Sequence, residues 1–248
     1  VTNPVVKDKW TGTNGDPWNP AIWTTIRNTR GSAAAPTIQG NTGRMVTVNG
    51  VECGIIAAMA ADYADQDITV KIQAVTIGGT YPPDPGMYPS IAYRVGANVD
   101  SGGEPADGYL VAWLAMRRRV ILYEIDSFDV LAVKDDVELD NLDPHWFRIR
   151  VQGSRHLVKW WHTDGAEPPT WQMDVTDDTY TSGRTLVSLS SNDSFAVCEL
   201  AYDDWRHEEV LPPEPGAVLN QGATVAAYVG SQPLLQQFVG SVEIPVPT

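Results

Sequence analysis

Apolar and polar residues alternate with period two through much of this chain. In Ile68-Thr69-Val70-Lys71-Ile72-Gln73-Ala74 every second residue is apolar. Phe147-Arg148-Ile149-Arg150-Val151-Gln152 repeats the pattern. A strand sends successive side chains to opposite faces, so such runs describe strands with one face on a core and one in water. Similar stretches predict strands over residues 44–48, 91–95, 109–116, 120–126, 157–161, 171–175, 184–189 and 194–202. Residues 52–59 are read as a buried strand, against the alternative of one or two helical turns within 54–64. Turn-rich segments separate these runs, among them Tyr81-Pro-Pro-Asp-Pro-Gly-Met-Tyr-Pro89 and Thr163-Asp-Gly-Ala-Glu-Pro-Pro169. Many short strands at this spacing predict an all-β fold, an antiparallel two-sheet sandwich with jelly-roll crossing.

The proline cluster Leu211-Pro-Pro-Glu-Pro-Gly216 cannot continue a ladder and predicts a linker. The expected organisation is a sandwich over 1–210, a linker over 211–216 and a β segment over 217–248. This last segment carries almost no charge. Tyr228-Val229-Gly-Ser recurs ten residues later as Phe238-Val239-Gly-Ser. It is too short to bury a core alone, so Tyr228, Val229, Phe238 and Val239 are expected to serve docking or assembly by strand addition.

Length and charge narrow the function. A 248-residue chain suits one large sandwich. A formal net charge of −14 repels phosphate backbones, so nucleic acid is not an expected partner. No apolar run is long enough for a membrane-spanning helix, and membrane insertion is not expected. The first residues lack the pattern of an export signal, which favours synthesis in a host cytoplasm. The cysteines, Cys53 and Cys198, lie in apolar strand-like runs and read as buried thiols. His145, His156, His162 and His207 are scattered, without the spacing of a zinc site.

Several stretches resemble a known family. Lys7-Asp-Lys-Trp-Thr-Gly-Thr-Asn-Gly-Asp-Pro-Trp-Asn19, followed by Trp23, resembles the opening of laminin-G-like, concanavalin-A-like sandwich domains. Trp146 to Ser154, Lys159-Trp-Trp161 and Glu167-Pro-Pro-Thr-Trp171 are similar to the late strands of bacterial and phage members, and Ala201-Tyr-Asp-Asp-Trp205 resembles their closing strand. The resemblance spans residues 5–210 and implies a lectin- or glucanase-type sandwich. The paired aromatic-Val-Gly-Ser units resemble the ends of minor tail proteins from phages of actinobacteria. The fold hosts lectins, hydrolases and structural parts alike, so it does not fix the function.

Tyr123-Glu-Ile-Asp-Ser-Phe-Asp129 resembles the Glu-x-Asp-x-x-Glu strand of laminarinase-type endoglucanases, with Asp129 where that motif has Glu. Retaining hydrolysis needs two carboxyls about 5 Å apart. On a strand, Glu124 and Asp126 would share a face. The reading preferred is non-catalytic, with Ile121, Tyr123 and Ile125 inward and Glu124 and Asp126 solvated.

Nine Trp and nine Tyr offer rings for stacking on sugars. Trp160 and Trp161 are neighbours and must point to opposite faces. Trp146 is expected to be packed, and Trp18 and Trp23 to cover the sandwich end. The candidate glycan contacts are Tyr81, Tyr88, Arg94, Trp113, Glu124 and Asp126. No cofactor is expected; the resemblance allows calcium near the chain ends, at Asp8, Asp16, Asp203 and Asp204. The combined expectation is a phage virion protein of the minor tail or tail-tip type, a homo-oligomer that contacts other virion proteins and host-surface glycan. The alternatives are a capsid decoration or head-fibre protein, and a bacterial glycan-binding module or degenerate endoglucanase.

Overall fold

The structure is a computed structural model that describes residues 5–28, 35–48, 53–59, 62–77, 87–98, 105–114, 118–137, 143–191, 197–210, 227–229 and 232–234. The chain divides into two compact units, Val1–Val210 and Leu211–Thr248. Of the second unit, a two-stranded antiparallel pair is described, β16 (Ala227–Val229) with β17 (Gln232–Leu234), in which Tyr228 faces Pro233. Phe238, Val239 and Tyr81 lie outside the described residues.

All the regular secondary structure described in the first unit is strand, without helix. Its strands are β1 (Val5–Asp8), β2 (Trp23–Asn28), β3 (Thr37–Gln39), β4 (Thr42–Val48), β5 (Cys53–Met59), β6 (Gln66–Ile77), β7 (Met87–Val95), β8 (Tyr109–Leu114), β9 (Arg119–Glu124), β10 (Val130–Lys134), β11 (His145–Gln152), β12 (Arg155–His162), β13 (Met173–Thr176), β14 (Arg184–Ser191) and β15 (Val197–Glu209). Two antiparallel sheets form. An eight-stranded sheet runs β13-β12-β11-β6-β15-β4-β3, with β1 also on β15. A seven-stranded sheet runs β10-β9-β8-β7-β14-β5-β2. Neighbours far apart in sequence pair across both, as jelly-roll crossing requires. Strand is the outcome for 53–59, where helical turns were the alternative.

β15 organises the larger sheet. One edge pairs with β6 along its length, while the other takes β4 at Val197 to Tyr202 and β1 at Trp205 to Glu208. Between these halves the register on β6 slips, so that Asp203 faces Lys71 and Arg206 faces Thr69. Asp204 sits in the slip with φ +49°. A bulge of this kind re-aims side chains, and here it brings both Asp203 and Asp204 onto Lys71.

The core lies between the sheets. β11 gives it Phe147, Ile149 and Val151; β6 gives Ile68, Val70 and Ile72; β15 gives Leu200, Tyr202 and Trp205. Cys198 is buried there too. Near one end Trp10, Trp18 and Trp23 pack together and against Tyr202 and Trp205, with ring centroids 5.1 to 6.3 Å apart. The Asp8 carboxylate ties this cluster, accepting from the Trp10 backbone N–H at 2.7 Å and the Trp23 indole at 2.8 Å. Gly43 is required beside it, because a Cβ there would lie 2.7 Å from the Trp10 ring. Burying such aromatic side chains is the largest favourable term this end offers.

Candidate functional site

The outward side of the eight-stranded sheet is built from the polar members of the same alternating runs. Register places them in rows across the strands. One row reads Trp161, Trp146, Lys71 and Asp203 on β12, β11, β6 and β15. The next reads Lys159, Arg148, Thr69 and Arg206, and a third reads Leu157, Arg150, Asp67 and Glu208. With strands about 4.8 Å apart, a row of four spans roughly 14 Å.

Trp146 and Trp161 are directly opposed, each half-buried, with centroids 6.1 Å apart and planes 17° from parallel. The Lys71 ammonium lies 5.7 Å from the Trp146 centroid and is held by Asp203 and by Asp204 at 3.3 Å. Burial pushes the Lys71 ammonium down, but the two aspartates outweigh it and hold it above its usual range.

Beside this pair a loop folds over the sheet. Glu167 bonds Arg148 and Lys159, each at 2.6 Å, and the Pro168 carbonyl accepts from Lys159 at 2.9 Å. The Trp171 ring covers these cations, 4.5 Å from Lys159 and 5.9 Å from Arg148 and Arg150. Beneath, Asp67 takes Arg148 through two bonds of 2.9 and 2.8 Å and also takes Arg150. Burial raises the Asp67 carboxyl, but bonds from Arg148 and then Arg150 prevail and hold it below the usual range. Glu167 is lowered for the same balance of reasons, with Lys159 and Arg148 outweighing burial. The result is a face of indole surface framed by fixed donors and acceptors, its charges offset within shared ion-pair networks.

The sequence-predicted candidates among the described residues lie elsewhere and do not come together on this face. Trp113 is 1 % exposed, packed against the His145 and Phe147 rings, and its expected role as a glycan contact is corrected to a core one. Arg94, 2 % exposed and at φ +51°, is corrected likewise. Its guanidinium donates to the carbonyls of Ala64, Gly153 and Tyr180 and to Asp65, tying four chain segments at one end of the sandwich. The phase expected for β9 is reversed. Val120, Leu122 and Glu124 are buried, whereas Ile121 and Tyr123 are half-exposed. Glu124 accepts from the Thr179 and Ser127 hydroxyls at 2.8 Å each. The strand ends there, and Asp126 is exposed in the following turn, so the two carboxyls share no strand face. Tyr88 lies in β7, opposite Ser190 of β14.

Sequence reading missed Trp146, expected as packed, and gave no role to Trp171. The signal was present: Trp146 shares strand parity with Arg148 and Arg150, and Trp161 shares it with Lys159. Trp160 and Trp161 do divide as expected, one buried and one half-exposed.

The four aspartates considered for calcium are already engaged. Asp8 holds two N–H groups, Asp16 caps the Thr13 N–H at 2.9 Å, and Asp203 and Asp204 hold Lys71. Among the described residues no group of three or more His, Cys, Asp or Glu is placed to hold a metal.

No family model matches the chain, and no curated protein matches it. Solved structures do. The carbohydrate-binding module CBM66 from Bacillus subtilis superposes with a TM-score of 0.53 at 16 % identity, over 76 % of this chain and 96 % of that one. The exoplasmic/lumenal domain of VIP36, in its Ca2+/Man2-bound form, gives 0.57 at 12 % identity over 84 % and 88 %. A β-1,3-glucanase from Mycobacterium marinum gives 0.53 at 12 % over 82 % and 97 %. The first unit therefore has the concanavalin-A-like, galectin-like β-sandwich fold shared by carbohydrate-binding modules and glucanases. Identities this low establish the fold alone.

Proposed function

We propose that this chain is a non-catalytic glycan-binding sandwich and that the outward face of its eight-stranded sheet is the binding surface. One observation carries the reading: the half-exposed Trp146–Trp161 pair, flanked by the fixed Lys71 ammonium. Indole faces match the C–H faces of sugar rings, while oriented donors and acceptors beside them take hydroxyls. The groups are held by ion pairs before any ligand arrives, which lowers the ordering cost of binding. A fold shared with carbohydrate-binding modules is consistent with this.

The non-catalytic part rests on the carboxylates. A glycosidase acid needs its pKa raised and a partner carboxylate at matched spacing. On this face Asp67 and Glu167 are lowered by their cations, and in the glucanase-like stretch Glu124 is buried while Asp126 lies in a turn. The expected result is no release of reducing sugar from any β-glucan.

The finer reading places the sandwich on a phage virion, in the minor tail or tail tip, with Ala217–Thr248 as the assembly segment. Its support is the sequence resemblance of that segment and its scarcity of charge. A bacterial glycan-binding module is the second reading, favoured by the CBM66 likeness. Immunogold labelling of purified particles tests the first, since a virion component must label the tail. Titrating intrinsic tryptophan fluorescence with cell-wall polysaccharides tests the binding face. Quenching that survives Trp161→Ala at unchanged affinity would refute it.

A further inference from the structure

Among described residues the large apolar side chains exposed to solvent are Val5, Phe128, Val130 and Val133. Three of these four fall within six residues, at 73 %, 56 % and 44 % exposure, on and beside β10. That strand ends the seven-stranded sheet, and no described strand lies beyond it. A bulge between Val130 and Ala132 turns Val130 and Val133 to one side, opposite Tyr123 and Ile121 of β9. Phe128 extends the strip by stacking on Tyr123, with centroids 6.2 Å apart. Isolated exposed apolar residues need no explanation, but a contiguous strip along a free sheet edge does.

We infer that β10 is the contact between two copies of this chain, lying antiparallel to β10 of a second copy about a two-fold axis between Leu131 and Ala132. The choice of a second copy comes from self-complementarity. In that register Val130 meets the partner's Val133, and Asp129 meets the partner's Lys134, each twice by symmetry. Asp129 and Lys134 are both exposed, and neither has an ion-pair partner among the described residues. Moving the axis to Ala132 would set Asp129 against the partner's Asp135 and Lys134 against the partner's Val130. Charge therefore selects one register, as opposed cross-strand pairs do.

Pairing of this kind joins the two seven-stranded sheets edge to edge. Directly opposed residues of an antiparallel pair share a face, so the two eight-stranded sheets lie on one side of the assembly. On the glycan reading, both Trp146–Trp161 faces then look the same way, and a surface carrying repeated glycans would be held at two points. Two-point attachment raises avidity without a new contact. Only this consequence rests on that reading; the dimer itself does not.

The test is sedimentation equilibrium on the full chain, with Asp129→Lys, Lys134→Asp and the double reversal, all at exposed positions. The wild type is expected to sediment as a dimer. Each single reversal should weaken dimerisation by about tenfold, because two like-charge contacts arise per dimer. The double reversal restores the opposed charges and should return the affinity to within about threefold. A wild type that stays monomeric at every concentration overturns the inference. So does assembly indifferent to the single reversals, or a double reversal that fails to rescue. Polysaccharide binding measured on the same variants separates this outcome from the glycan reading.

Discussion

The two faces of the eight-stranded sheet come from the same strands and do opposite things. On β11, Phe147, Ile149 and Val151 enter the core, while Trp146, Arg148 and Arg150 stand outside. On β12, Trp160 goes in and Trp161 out. Inside, polar groups are sparse and expensive. Outside, every acid of the Asp67 and Glu167 cluster has a cation, and the indoles remain partly uncovered. The difference teaches where substitutions should act. Inner changes should cost stability and leave affinity alone in whatever protein still folds; outer changes should cost affinity and leave stability nearly alone.

The largest effects should be inside. Trp160→Ala is expected to lose about 3–5 kcal/mol, through lost transfer energy and a residual cavity. Arg94→Ala should lose a similar amount, about 3–5 kcal/mol, because three carbonyls and Asp65 lose a buried donor together. Urea melts of both proteins check this, and a loss under about 1 kcal/mol at either position would break the distinction between the faces.

His207 sharpens it through pH. The ring is fully buried against Tyr63 and Trp205, and neither nitrogen has a hydrogen-bond partner among the described residues. Burial pushes its pKa down to about 3. Below about pH 6.5 the unfolded chain binds a proton that the folded chain does not, so stability falls as pH falls. This group should contribute a slope of about 1.4 kcal/mol per pH unit down to about pH 3. His156, also lowered by burial, adds in the same direction. Asp67 adds only below about pH 4, since its folded value lies under the unfolded one. Melting His207→Leu between pH 4 and 7 should show a flatter slope than the wild type.

Outside, Trp161→Ala should weaken glycan binding by about tenfold, the order expected for one lost aromatic platform. Its cost in stability should stay near 1 kcal/mol. Asp203→Asn, which loosens Lys71, should weaken binding by about threefold. The smallest expected effect is that of a chelator. The aspartates at the chain ends are occupied by N–H groups and Lys71, so binding should be the same with and without EDTA.

How much of this was legible beforehand depends on phase. β6 and β11 alternate cleanly between apolar and charged, and their faces follow from sequence alone. β9 does not: Val120-Ile121-Leu122-Tyr123 is apolar on both faces, so periodicity located the strand without saying which residues turn inward. The error at Glu124 follows, since an acid is ordinarily solvated, and one of the two hydroxyls that satisfy this one, that of Thr179, comes from 55 residues away. Arg94 was illegible for a related reason. Its acceptors lie 29 to 86 residues away, on segments that only the fold brings together. The site face was half legible. Trp146 could be placed outward by parity with Arg148 and Arg150, but the lid formed by Glu167 and Trp171 depends on a loop whose course no periodicity describes.

The most direct measurement is a glycan array probed with the full chain and with Trp146→Ala/Trp161→Ala, both confirmed to melt alike. The account predicts that the wild type retains at least one class of glycan and the double variant retains none. An array on which the wild type retains nothing, or on which the double variant retains the same glycans equally well, would contradict it.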